Sequence, residues 1–338
     1  MSESGVASHA SDARVTALLT ACVALGALIG VALALAAFGR VPTELRRVTV
    51  IMHAMRSPGV PPTIAVGNSV VMNGIDARLL GTTPAGRPAA WNFATTGQLV
   101  SESLVIADAL PAEVHRVVLG ITIDELTHGA PVVPLNKYLA FLLSGYRPSQ
   151  ELSSLVARDT ALDAMLHTPE WRGALQSRWV FRSVADFYLR SVLRRDLDFE
   201  RAQSDLYHPA PFTRPVRGDA LTHLLQLDAA RHATFAPSSA ILRQILDMNA
   251  LLRARGKQFT VVIMPEHPLR LRSATATYLD ELRTWIASAP ALGLDVLDLH
   301  DRLGASDFVD DVHPSASGSR IVTRALAAAL SPISVAAP

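Results

Sequence analysis

Cysteine is almost absent from this 338-residue chain, and the single cysteine, Cys22, lies in an apolar stretch near the N-terminus. The rest of the chain therefore forms neither a disulfide nor a thiolate metal site. Cysteine nucleophiles and redox pairs are excluded by the same absence. A cysteine-free body is compatible with an oxidising compartment but does not require one.

An excess of charge is also missing, since the formal net charge is +1 and charged residues make up 18% of the chain. No basic block stands out, so electrostatics gives no reason to expect a nucleic-acid partner. Only two lysines occur, Lys137 and Lys257, and arginine carries most of the positive charge. A phosphate-cradling glycine loop is missing too, because Gly67 is followed by neither a Lys-Ser/Thr pair nor a Gly-x-Gly pattern.

One long apolar run is present, over residues 15–38, and it contains no charged side chain. At about 1.5 Å per residue it is long enough to cross a hydrocarbon core of about 30 Å. A buried core helix and a cleaved signal peptide are the alternatives, although the run exceeds a usual signal-peptide core. We predict a transmembrane anchor at residues 15–38, after a tail at residues 1–14. The flanking arginines favour a cytoplasmic body if the positive-inside rule is taken literally, but long domains translocate whatever their flanking charge, so the orientation stays open.

The chain after the apolar run is long enough for one large domain with an insertion. We predict a juxtamembrane helix and linker at residues 39–62, an α/β domain at residues 63–330 and a C-terminal tail at residues 331–338. Residues of about 132–237 have helical patterns without a strand pattern, which indicates a helical insertion into this domain.

Short apolar runs of strand type alternate with helical patterns on both sides of that insertion. This alternation predicts a parallel sheet with helices on both of its faces. The predicted strands are residues 63–66, 114–121, 259–264 and 296–299.

A serine follows the first predicted strand, in the turn from Gly67 to Ser69, and an Asp-x-x-His pair follows the last strand. A serine hydroxyl becomes a good nucleophile when an imidazole removes its proton and a carboxylate orients that imidazole. Each motif is common by itself, but the carboxyl ends of parallel strands meet at one edge of the sheet. The joint placement therefore predicts a triad of Ser69, His313 and Asp310, with Asp311 as the alternative orienting residue.

This arrangement resembles the SGNH (GDSL-like) hydrolase superfamily. The first block of that family carries its nucleophile in a Gly-Asp-Ser or Gly-Asn-Ser turn, matched here by Gly67-Asn68-Ser69, and its last block is Asp-x-x-His-Pro, matched by Asp310 to Pro314. The resemblance implies an SGNH or flavodoxin-like three-layer sandwich around a central parallel sheet. It also implies that Ser69 is the nucleophile, His313 the base and Asp310 the partner of the base.

The resemblance further implies an oxyanion hole formed by the backbone N–H groups of Ser69 and Gly97. The third block of the family supplies an asparagine donor. Thr122 stands in its place here, and its hydroxyl is the candidate substitute for that donor in the oxyanion hole. Losing one oxyanion donor typically costs about 10²–10³ in rate.

Three further residues are candidates for the substrate pocket. Asn68 lies beside the predicted nucleophile, whereas Glu266 and His267 follow the predicted strand at residues 259–264. A plain turn is the alternative for Glu266 and His267. Nothing in the sequence requires a metal or an organic cofactor.

The apolar run, the relaxed middle blocks and the insertion together resemble the anchored SGNH-type proteins of bacterial polysaccharide O-acetylation, which include the alginate-acetylation proteins. This implies cleavage or transfer of an acyl ester through an acyl-serine, with an envelope or extracellular glycan as substrate. It also implies a single-pass protein of the bacterial inner membrane with a periplasmic or extracytoplasmic body, beside a multi-span membrane O-acyltransferase. The alternatives are a lipid or carbohydrate esterase and a non-catalytic scaffold or binding protein of an envelope assembly.

Overall fold

The computed structural model describes residues 15–27, 29–30, 44–129, 135–168, 202–227 and 234–330. The chain divides into two compact units, Met1–Val41 and Pro42–Pro338. The predicted tails at residues 1–14 and 331–338 lie outside the described residues. So do residues 169–201 and 228–233 of the predicted insertion.

The first unit contains the predicted membrane anchor. Its residues 15–27 and 29–30 are helical, whereas residue 28 and residues 31–38 of the anchor lie outside the described part. Among the helices that are described, none is both long and apolar enough to cross a membrane. The anchor at residues 15–38 stays a prediction. Several large apolar side chains of the helical residues are exposed: Val15, Leu18, Leu19, Val23, Leu25 and Ile29.

The second unit is built around a parallel sheet, which has five strands within the described ranges, in the order β2-β1-β3-β4-β5. Every neighbouring pair is parallel. The residues of β1 and β3 are all buried, as expected for parallel strands covered on both faces. The predicted mixed α/β fold with a central parallel sheet is therefore confirmed. The strands are β1 (Thr63–Val66), β2 (Ala90–Asn92), β3 (Arg116–Ile121), β4 (Gln258–Ile263) and β5 (Asp295–Asp298).

Helices connect the strands and flank the sheet. In the predicted insertion, the described residues 135–168 and 202–227 contain helices and no strand of the sheet. The α-helices of the second unit for which bounds are described are α1 (Glu44–Ala54), α2 (Ser69–Gly74), α3 (Val100–Ala109), α4 (Ile123–His128), α5 (Leu135–Leu143), α6 (Gln150–Val156), α7 (Thr160–Leu166), α8 (Asp219–Leu227), α9 (Ser239–Ala254), α10 (Pro268–Ser273), α11 (Ala276–Ser288) and α12 (Ala316–Ala329).

The strand order reverses its direction once, because β2 lies on one side of β1 and β3 on the other. Right-handed crossover connections then place helices on opposite faces of the sheet. In agreement, α2 packs against α12, whereas α3 packs against α9. Sheets of this kind bind ligands beyond the carboxyl ends of the strands at the point of reversal, which here lies between β1 and β3.

Helix α1 is part of the second unit and is joined to the sheet by Arg47, which is fully buried. The Arg47 guanidinium donates to the carbonyl oxygens of Asn92, of Ala94 at 3.2 Å and of Asp205 at 2.5 Å. Burial lowers the pKa of Arg47 to about 9, while the charge of Asp205 opposes that shift. Three carbonyl acceptors compensate for the loss of water around this cation. The end of β2 and the chain at residue 205 are thereby fixed to α1.

Candidate active site

The turn that carries Ser69 depends on two glycines. Gly67 has a φ of +146°, and a Cβ at this position would lie 2.4 Å from the carbonyl oxygen of Gly120. A Cβ at Gly120 would lie 2.4 Å from Cγ2 of Val71. Only a hydrogen fits in place of a side chain at both positions, because α2 approaches the ends of β1 and β3 closely. Ser69 is the first residue of α2, and Asn68 caps that helix.

Ser69, His313 and Asp310 form a hydrogen-bonded series. Nε2 of His313 lies 2.9 Å from Oγ of Ser69, and Nδ1 lies 2.8 and 3.0 Å from the two carboxylate oxygens of Asp310. Asp310 also accepts from the backbone N–H groups of Val312 and His313, at 3.0 and 2.8 Å. Burial acts to raise the pKa of Asp310, but the hydrogen bond and charge of His313 and the two N–H groups hold that pKa below its usual value. An ionised carboxylate at Nδ1 favours the tautomer that accepts the serine proton at Nε2.

The loop that carries His313 is narrow and braced. Phe308 and Pro314 form an antiparallel bridge at its base, and the backbone N–H of Val309 donates to the carbonyl of His313 at 2.8 Å. Asp311, the alternative orienting residue, is turned to Arg270, whose guanidinium lies 2.8 Å from its carboxylate. The imidazole is therefore oriented by Asp310, while Asp311 fixes the loop to α10.

Glu266 and His267 follow β4 and are buried. Glu266 accepts from the backbone N–H of Ile123 at 3.3 Å, and its carboxylate lies 3.8 Å from Arg270. The His267 side chain caps α10, and its ring centroid lies 5.0 Å from that of Phe308. These contacts join the loops that follow β3, β4 and β5. A role for the two residues as walls of a substrate pocket stays a prediction.

Gly97 lies in the loop that follows β2, and this loop is tied to the nucleophile turn. The backbone N–H of Thr95 donates to the carbonyl of Gly67 at 3.1 Å, and the Thr96 hydroxyl contacts the sulfur of Met72 at 3.7 Å. Gly97 itself has a φ of +58°, in the left-handed region that glycine adopts without steric cost. The loop is thus placed beside the turn in which the predicted oxyanion would form.

Thr122 follows β3 and caps α4, because its hydroxyl accepts from the backbone N–H of Glu125 at 3.1 Å. A hydroxyl that accepts one hydrogen bond still has a proton to donate, so this contact is compatible with the predicted role. The Asn68 amide donates to the Glu125 carboxylate at 2.9 Å. Burial, together with the charges of Glu102 and Asp124, raises the pKa of Glu125 to about 8. Both Asn68 and Thr122 therefore contact Glu125, a residue whose carboxyl group has a raised pKa.

The described part of the predicted insertion reaches His313. The Phe212 ring stacks on the His313 imidazole, with a centroid distance of 4.1 Å and an interplanar angle of 24°. Asn73 holds this segment in place, since its amide donates to the carbonyls of Phe212 at 2.6 Å and of Pro314 at 3.4 Å. Neither residue was predicted from the sequence. For Asn73 a signal was present, because residues four apart share a face of a helix and Asn73 lies four residues after Ser69.

No protein-family model matches the chain. No sequence among the curated proteins is significantly similar to it. Within the described ranges, no group of three or more His, Cys, Asp and Glu side chains is placed to hold a metal ion. The chemistry that the described residues can perform is therefore inferred from the geometry of Ser69, His313 and Asp310.

Proposed function

We propose that this chain is an SGNH-type serine acyl-ester hydrolase or O-acyltransferase that works through an acyl-serine at Ser69. The hydrogen-bonded series of Asp310, His313 and Ser69 carries this proposal, because a hydroxyl, an imidazole and a carboxylate in this order make a serine nucleophilic. The strand order supports the SGNH resemblance, with the nucleophile directly after β1 and the base after the last strand, β5.

In the first half of the reaction, Oγ of Ser69 attacks the acyl carbonyl carbon while Nε2 of His313 takes the hydroxyl proton. Asp310 stabilises the imidazolium that forms. The N–H groups of Ser69 and Gly97 and the hydroxyl of Thr122 donate to the oxyanion. The tetrahedral intermediate then collapses, the alcohol leaves with the proton from His313, and the acyl group stays on Ser69.

In the second half, water or a sugar hydroxyl loses its proton to His313 and attacks the acyl-serine. The second tetrahedral intermediate releases an acid or an acylated sugar, and Ser69 regains its proton. The anchor at residues 15–38 enters the proposal through the uncharged apolar run of the sequence. The family resemblance adds the glycan acceptor, the extracytoplasmic body and a neighbouring multi-span O-acyltransferase. A lipid or carbohydrate esterase would use the same first half.

A fluorophosphonate probe tests the nucleophile in the full-length chain, purified in detergent. The probe should label Ser69, and Ser69→Ala and His313→Ala should abolish labelling. Ser153→Ala is the matched control, because Ser153 lies in α6 with its hydroxyl bonded to the Ser149 carbonyl. Labelling that persists in Ser69→Ala would assign the nucleophile to another residue.

The second candidate is a non-catalytic scaffold of an envelope assembly. Thr122 favours it, because a threonine replaces the asparagine donor of the family. Absence of labelling in a folded sample would support this candidate. If Ser69 is labelled, an acetyl ester supplied with and without a glycan acceptor separates the two enzymatic possibilities. Acetyl groups found on the glycan by mass spectrometry indicate a transferase, and release of acetate alone indicates a hydrolase.

A further inference from the structure

Lys137 is one of two lysines in the chain and lies in α5, within the predicted insertion. It is only 8% exposed. Its ammonium group donates to the carbonyl oxygens of Thr96 at 2.7 Å and Gly97 at 2.9 Å, and to the carboxylate of Glu102 at 3.2 Å. An ammonium has three protons, so each proton has an acceptor. Two of the three acceptors belong to the loop that contains the predicted oxyanion donor.

Glu102 explains why a cation is held at this buried place. It lies in α3 with an exposure of 0%, and its second carboxylate oxygen accepts from the Thr95 hydroxyl at 3.1 Å. Burial raises the pKa of Glu102, and the charge of Lys137 acts against that shift. A buried carboxylate left without its cation is strongly destabilising. The pair therefore ties α3 and α5 to the loop that follows β2.

The orientation of the peptide that joins Thr96 and Gly97 follows from these contacts. The bond is trans, and in a trans peptide the C=O and the following N–H point in opposite directions. Because the Thr96 carbonyl is directed at Lys137, the Gly97 N–H points away from Lys137. The same loop is bonded to the turn that carries Ser69, because the backbone N–H of Thr95 donates to the carbonyl of Gly67.

We propose that Lys137 is a positioning residue that fixes the peptide between Thr96 and Gly97, so that the Gly97 N–H donates to the oxyanion formed on attack by Ser69. The cation also polarises this peptide, since an acceptor bonded to a charged donor makes the N–H of the same group a stronger donor. This inference rests on the proposed acyl transfer at Ser69. It assigns to the insertion a part in stabilising the transition state.

Lys137→Met in the full-length chain tests the inference, with Lys257→Met as the matched control. Lys257 is 6% exposed, and its ammonium donates to the carbonyls of Pro111 and Val114. It precedes β4, at the edge of the sheet opposite the triad. Both substitutions thus remove a buried ammonium from backbone carbonyls, but only one of them does so at the oxyanion loop.

Hydrolysis of p-nitrophenyl acetate and the rate of fluorophosphonate labelling are measured for both variants. Lys137→Met should lower kcat about 10- to 100-fold and leave KM within about twofold of the parent. A misoriented donor stabilises the oxyanion of the transition state less well, whereas it does not change the binding of the ester. The labelling rate should fall by a similar factor. Lys257→Met should keep kcat within about threefold of the parent, even if its midpoint of urea unfolding falls as far as that of Lys137→Met.

Equal values of kcat in the parent and in Lys137→Met would overturn the inference and leave the proposed function standing. A parent that neither turns over nor labels would overturn the proposed function, and the inference with it. If Lys137→Met does not fold, the double variant Lys137→Met/Glu102→Gln replaces it, because it leaves no unpaired buried carboxylate. The same values of kcat and KM are expected of the double variant.

Discussion

Replacing Gly67 with alanine places a Cβ 2.4 Å from the carbonyl oxygen of Gly120 and 2.5 Å from Cγ2 of Val71. One of these atoms is backbone and the other belongs to a buried, stiff side chain, so α2 or a strand must move to relieve the contact. Overpacking of this kind costs about 1–3 kcal/mol. The φ of +146° adds a backbone cost of about 1–3 kcal/mol for any residue with a side chain. The free energy of unfolding should therefore fall by about 2–6 kcal/mol.

Gly81→Ala is the control, because Gly81 has a φ of +106° and no atom within 4 Å of the added Cβ. It should show the backbone cost alone, about 1–3 kcal/mol. Urea unfolding followed by circular dichroism measures both variants. The difference between them isolates the contact of the new Cβ with Gly120 and Val71. The folded Gly67→Ala variant should also react with a fluorophosphonate more than about tenfold more slowly, since Ser69 moves with α2.

Equal unfolding midpoints for the two alanine variants would refute this reasoning. The close approach of α2 to the strand ends would then impose no constraint on the turn. Parental labelling rates in Gly67→Ala would contradict the second half of the prediction, because Ser69 would have kept its place without the glycine.

Three further predictions concern His313, the ring that covers it and a carboxyl group with a raised pKa. Asp310→Asn should lower kcat/KM on an acetyl ester about 10²–10⁴-fold because the tautomer of His313 is no longer fixed. Asp311→Asn should lower the stability and keep most of the turnover. Equal activities of the two variants would contradict the assignment of Asp310 as the residue that orients His313. Phe212→Leu should lower kcat about 2- to 5-fold, since a stacked ring favours the imidazolium by about 0.5–1 kcal/mol, and an unchanged kcat would show that the ring only packs. Burial raises the pKa of Glu125 from 4.5 to about 8, so the folded chain keeps a proton that the unfolded chain loses, and stability falls as pH rises from about 5 to 8. Urea unfolding at both pH values should show a smaller fall for Glu125→Gln, and identical falls would contradict the raised pKa.

Strands β1, β3, β4 and β5 were predictable because each contains a short apolar run. The bounds of β1 coincide with the predicted residues 63–66, and the other three predicted strands are displaced by no more than two residues. The edge strand β2 was missed. It has only three residues, and Trp91 at its centre is half-buried. Three residues are too few to show a periodic pattern of apolar side chains.

The positions of Ser69 and His313 were predictable for a related reason, since each follows a strand end and each lies in a recognisable motif. The residues that support them were not. Phe212 and Lys137 reach the site, and Arg47 reaches the end of β2, through contacts between distant parts of the chain. A local pattern carries no information about such contacts. Arg47 and Lys137 are also buried, whereas arginine and lysine side chains usually lie at the surface.

The series of Asp310, His313 and Ser69 has a consequence for the order of folding, because His313 and Ser69 are 244 residues apart. Closing a loop of this length costs about 5 kcal/mol in chain entropy. In a chain made from its N-terminus, Ser69 therefore lacks its contact with His313 until the loop after β5 has docked. Under the proposed function, this sequence separation leaves the serine without its base in every incomplete fold, so that it gains nucleophilicity only when the body has closed.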